Sequence, residues 1–303
     1  MKRLFIVSAL FLFLAACGSS AKPSAQAKAF ILPTKLSAML PSEADIVVRI
    51  DFAQLRASKL FSESPPKLKN KMMNSIEPDR ESADVLLEKG QELVMGKLLS
   101  EQGNTGVAVV RASLSQEEVS ALAKEIDDRA ETKRLQKDLW LIAPQAEMKR
   151  MLAQLSSPSK VSPWWEKPST HYRFEQSSAA ILVRSSPQTT SMASKRLNAQ
   201  GGRVLSSGAI TGLVDDFEYM GLSVQLGAET LAELGVHAKE QAKLESAASY
   251  LQSLIGRYQN NLLARALGLD AILSGLNVST ETGRMLVRAK FNEGTLLEYS
   301  RTL

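Results

Sequence analysis

The chain has 303 residues, of which 44% are hydrophobic and 23% charged, the balance of an ordinary globular protein. Its 37 basic and 32 acidic residues leave a net charge of +5, too small an excess to point to a nucleic-acid partner. The single cysteine excludes an intramolecular disulfide and a cysteine zinc site, and the only two histidines, His171 and His237, have no ligand at metal spacing, so no metal and no cofactor is expected.

The first element in chain order is a leader. Lys2 and Arg3 form a positive start, Leu4 to Leu14 an almost unbroken apolar run, and the small residues Ala15 and Ala16 lead to Cys17, the order of an export signal. The run is too short to span a bilayer, which needs ~20 apolar residues. Leu14-Ala15-Ala16-Cys17 resembles the lipobox of bacterial lipoprotein signal peptides. The resemblance implies that residues 1–16 are removed and that Cys17 carries a diacylglycerol, so that the lipid holds the protein on a membrane from outside the cytoplasm. Two acyl chains suffice for stable anchoring. Gly18 rather than an aspartate follows the cysteine, which by resemblance to sorting in Gram-negative bacteria implies the outer membrane. Residues 17–35 then read as the lipidated cysteine and a flexible tether, small and polar up to Ala29.

Beyond the tether a phrase recurs. Val47-Val48-Arg49, Val109-Val110-Arg111, Leu182-Val183-Arg184 and Leu286-Val287-Arg288 each end a β-prone run and precede a helix start. The starts are Asp51 with Gln54, Ser115 with Glu118 in a capping box, Ser186 with Pro187, and Asn292. The pattern predicts two related halves built from strand-then-helix units, residues 36–157 and 178–303, each opened and closed by such a unit. At every one of these arginines, period-2 alternation predicts solvent exposure at the strand end.

Helices are expected over 80–99, 115–127 and 145–155, and a long one over about 239–267, where Leu244, Ala248, Leu251, Ile255, Tyr258, Leu262 and Ala266 form a stripe. Gly268 would cap its end. Strands are expected over 138–144, 218–226 and 231–238. The fold class is therefore α+β, with largely antiparallel sheets covered by helices.

Residues 158–177 separate the halves. Prolines 158, 163 and 168 stand among Trp164, Trp165, His171, Tyr172 and Phe174. Trp164, Trp165 and Tyr172 could form an exposed platform for an envelope protein or a glycan, because large aromatic faces anchor interfaces and stack on sugars. They could equally plug the join between the halves, and the usual burial of paired tryptophans favours the plug.

No pattern assigns a catalytic residue. Ser19 with Lys22, Ser64 with Lys67 and Ser157 with Lys160 match SxxK but lack the companion motifs. The pairs Glu117-Glu118, Asp127-Asp128 and Asp215-Asp216 read as solvated faces. The opening Leu40-Pro41-Ser42-Glu43-Ala44-Asp45 with Ile46 to Asp51, and a long helix before a strand and short helix near the end, resemble a two-repeat family of bacterial envelope proteins without an assigned activity. That likeness implies the α+β fold and no function. Three readings stay open: a non-enzymatic envelope module that binds or organises a partner, a carrier of an apolar ligand or lipid beneath the long helix, and a hydrolase using dispersed carboxylates.

Overall fold

The computed structural model describes residues 32–63, 80–156, 162–200, 207–260 and 273–294. The leader, Cys17, most of the tether, the SxxK pairs and the predicted cap at Gly268 lie outside the described residues. Among the described residues ten strands form one sheet: β1 (Ile46–Asp51), β2 (Gly90–Leu98), β3 (Thr105–Ala112), β4 (Ala130–Gln136), β5 (Leu139–Pro144), β6 (Ala179–Arg184), β7 (Phe217–Gln225), β8 (Glu229–Ala238), β9 (Leu276–Glu281) and β10 (Arg284–Asn292). Their order is β4-β5-β3-β2-β1-β6-β7-β8-β10-β9, and every recorded pairing is antiparallel. The fold is α+β.

The order is a palindrome of two five-strand halves. Counting outward from the centre, each half places its first, second, third, fifth and fourth strand, and the two first strands, β1 and β6, pair antiparallel from Ile46↔Val183 to Ile50↔Ala179. Through that pair each half continues the other in a single sheet. The recurring phrase matches this only in part. Arg49 and Arg184 close equivalent strands, but Arg111 lies on the third strand of its half and Arg288 on the fifth of the other.

Helices follow the predicted starts. Asp51 accepts from Gln54 N at 2.9 Å and opens α1 (Phe52–Ala57), which α2 (Lys59–Glu63) follows. Both arms of the Ser115–Glu118 box are made, at 3.2 and 2.8 Å, at the start of α4 (Gln116–Ile126). α5 spans Gln145–Ser156, α7 spans Pro187–Gln200 behind the Ser186 cap, and α8 spans Gly208–Val214.

Two expectations about elements need correction. The helix predicted over 80–99 is α3 (Arg80–Lys89) and then β2, because Gly90 ends the helix where a side chain would collide with Leu86 O and Phe52. The chain beyond it is drawn into the sheet between β1 and β3, and tertiary pairing overrides helix propensity. The long helix, α9, runs Gln241–Gln259, and the predicted continuation enters undescribed residues. Its buried face is Leu244, Ala247, Ala248 and Leu254, whereas Tyr258 is 42% exposed.

Residues facing each other in the ladders share a face of the sheet. One row runs Ile142, Ala108, Met95, Val48, Ile181, Leu222, Leu234, Val287 and Val278 across both halves. On this face one core gathers Ile50, Phe52, Leu86, Val110, Val119, Leu122 and Trp140 under α1, α3 and α4. A second core gathers Leu213, Val236, Leu244, Ala247, Val278 and Met285 under α8 and α9. The opposite face is crossed by the segment joining the halves.

Candidate functional site

That segment is a strap. Trp164 donates its indole N–H to Ala44 O at 2.6 Å and meets Trp165 edge to face at 5.9 Å. The short helix α6 (Glu166–His171) follows, and then Arg173 takes a left-handed turn at φ 49°. Trp165 is 2% exposed, Tyr172 1% and Phe174 not at all. Trp165 and Tyr172 thus present no face to a partner and pack as the plug does; Trp164 is half-buried.

Tyr172 lies where two glycines make room. Gly221 on β7 and Gly235 on β8 face each other in the ladder, and a Cβ on either would collide with the Tyr172 ring. Isolated glycines inside strands mark such close approach, and that signal is carried by the sequence itself. The same place joins the two histidines, 66 positions apart. His171 stacks on His237 with centroids 5.4 Å apart and planes at 8°, Tyr219 stacks on His237 at 4.0 Å, and Tyr172 meets it edge on at 6.1 Å. His171 Nδ1, His237 Nε2 and the Tyr172 hydroxyl are buried without a hydrogen-bond partner. Burial drives the His237 pKa down to about 4, helped by His171, Arg284 and Lys167. His171 is lowered for the same reasons, burial first, and burial raises Tyr172.

Arg49 contradicts its expected exposure. It is 5% exposed, because the outward face of the central strand is itself covered by the strap. Its guanidinium donates to Glu92 at 2.7 Å, to Ser177 O at 2.5 Å and to Asp51 at 3.3 Å, with Glu175 at 3.7 Å. Ser37 donates to Glu175 at 2.6 Å. Removing the guanidinium would take from the partly buried Asp51 and Glu175 the cation they share, so this cluster fixes the strap to β1. The carboxylates around it are tied to a cation, unlike a free acid and base pair. Arg184, by contrast, is partly exposed and bonds Asp45 at 2.9 Å.

The helix-bearing face offers a second feature. Leu222 and Leu234 face each other across β7 and β8 yet remain 39% and 37% exposed. Ile181, Val224 and Ala232 adjoin them, and none of the five belongs to either core cluster. An apolar strip therefore lies open between the two cores. Thr230, on the same face by strand alternation, is 4% exposed with an unpartnered hydroxyl.

Other candidates are weaker. One recess among the described residues, about 450 Å³, is open and lined by both signs of charge, including Lys97, Lys124, Asp127 and Arg129. Asp127 is held low by the Arg129 guanidinium first and by backbone N–H groups. The acidic pairs have structural employment: Glu118 caps α4, Asp127 accepts from Gly106 N, and Asp216 accepts from Glu240 N. Among the described residues no group of three or more histidine or carboxylate side chains could hold a metal, and no helix is long and apolar enough to cross a membrane.

No protein-family model and no curated protein matches the chain. Among solved structures it is similar to crystal form I of TP0453, with 13% identity over 89% of this chain and 98% of that one at a TM-score of 0.44. Crystal form III of TP0453 gives 11% identity, covers 89% and 99% of the two chains and has a TM-score of 0.42. Likeness at this level leaves function to be argued from the residues.

Proposed function

We propose that this is a lipid-anchored bacterial envelope protein that binds or organises a partner and is not an enzyme. The observation that carries the reading is the leader, in which charge, apolar run, small residues and Cys17 fall in register. The anchor is the diacylglycerol on Cys17, and Gly18 directs the protein to the outer membrane. The groups able to titrate in the fold support a binding role, since the buried ones serve caps, ion pairs and packing. Cys17→Ser tests this: the variant should lose incorporation of labelled fatty acid and move from the membrane pellet to the soluble fraction. A variant that still pellets and still takes up label would overturn the reading.

A second reading, a carrier of a lipid acyl chain, is favoured by the open strip. Exposed leucines facing each other on a sheet suit an extended hydrocarbon, and an anchor at Cys17 would keep bilayer lipid within reach of the tether. In this reading the strip binds a fluorescent fatty acid, and Leu222→Asp with Leu234→Asp weakens binding at least tenfold. Equal binding by wild type and the double variant would remove the strip from consideration.

A further inference from the structure

We propose that His171 and His237 form an acid-sensitive clasp, which releases the strap from β7 and β8 when the imidazoles become charged. The geometry is that of two groups stable together only as neutral rings. They stack at 5.4 Å, so two protons there would place like charges face to face in a weakly solvated site.

The surroundings supply no compensation. A charged imidazole carries N–H on both nitrogens, and His171 Nδ1 and His237 Nε2 are buried where no group accepts. Lys167 on α6 and Arg284 on β10 add positive charge, and Glu281 on β9 is the one carboxylate among the groups acting on both rings. Glu281 is already taken by Arg284, from which it accepts two hydrogen bonds. The remaining neighbours, Tyr172 on the strap and Tyr219 on β7, are uncharged phenols held above their ordinary range by burial, with Glu218 and Glu233 acting on the phenols.

The direction follows from linkage. A released imidazole titrates near its ordinary value of about 6.5, whereas docked His237 is held down to about 4. Between those values the released state binds more protons, so docking weakens as pH falls through that window. What is let go is the strap's hold on the second half: Tyr172 from the bed of Gly221 and Gly235, and with it the packing around Trp165.

The chain has only two histidines, so their resonances can be followed without ambiguity in the full-length protein in detergent. Titrated from pH 7 to 4, both imidazoles should take their protons below the ordinary imidazole range, and tryptophan emission should shift to the red at the same midpoint. His171→Phe with His237→Phe keeps the stack and cannot be charged, and should abolish that shift. His171→Gln, which leaves the Tyr219–His237 stack, serves if the double variant misfolds and should move the midpoint down by half a pH unit or more. Imidazoles that titrate at about 6.5 in the folded protein, an emission that does not change down to pH 4, or an unchanged shift in these variants would each overturn the proposal.

Discussion

Tyr172 and its two glycines are the clearest case of residues whose roles depend on distant partners. The ring fills the space over Gly221 and Gly235, while its hydroxyl finds nothing to bond. Two opposite effects are therefore predicted at one place. Gly235→Ala forces the ring out and should cost about 1 to 3 kcal/mol, the usual price of overpacking. Tyr172→Phe keeps the ring and removes an orphaned polar group, so it should be neutral or slightly stabilising. Urea melts of the two variants check both signs, and a Tyr172→Phe loss above about 1 kcal/mol would mean that the hydroxyl has a partner. At this scale the sequence was informative about type and silent about meeting. The aromatic run 164–174 announced itself, and its burial follows from size and apolarity. That His171 would stack on His237, or that Arg49 would be enclosed, could not be read from alternation along one strand. Alternation sorts the two faces of a strand, but which face is covered depends on a segment 120 or more positions away.

At the scale of elements, local chemistry was the reliable guide. The caps at Asp51, Ser115 and Ser186 formed as their side chains dictate, since each satisfies backbone N–H groups that no other residue can reach. β4 and β9, the outermost strands, passed unnoticed. Each bonds a single neighbour, and β4 carries Glu131, Lys133 and Arg134 with an alternation too polar to stand out. Edge strands resist aggregation by being so marked with charge, which is also why they look like loops. The stretch after Lys89 resembles a helix for the opposite reason. Its leucine, methionine and lysine favour a helix, and only pairing on both sides with β1 and β3 holds it extended.

At the scale of the molecule, the palindromic strand order explains how a chain with one cysteine holds together without a disulfide. Pairing β1 with β6 lets each half continue the other's sheet, so the centre has no free edge, and both helix layers fall on the same face. The opposite face near the centre is closed by the strap and the Arg49 cluster. The two layers leave the apolar strip between them. The proposed anchor, Cys17, directly follows the proposed leader, where the sequence speaks most directly and the fold adds nothing. The most direct test is the intact mass of the protein extracted from envelope membranes. The account predicts a chain that begins at Cys17 and carries the added mass of a diacylglycerol on that residue, with a further acyl group where the amine is modified. A chain that retains residues 1–16, or begins elsewhere with Cys17 unmodified or absent, would contradict it.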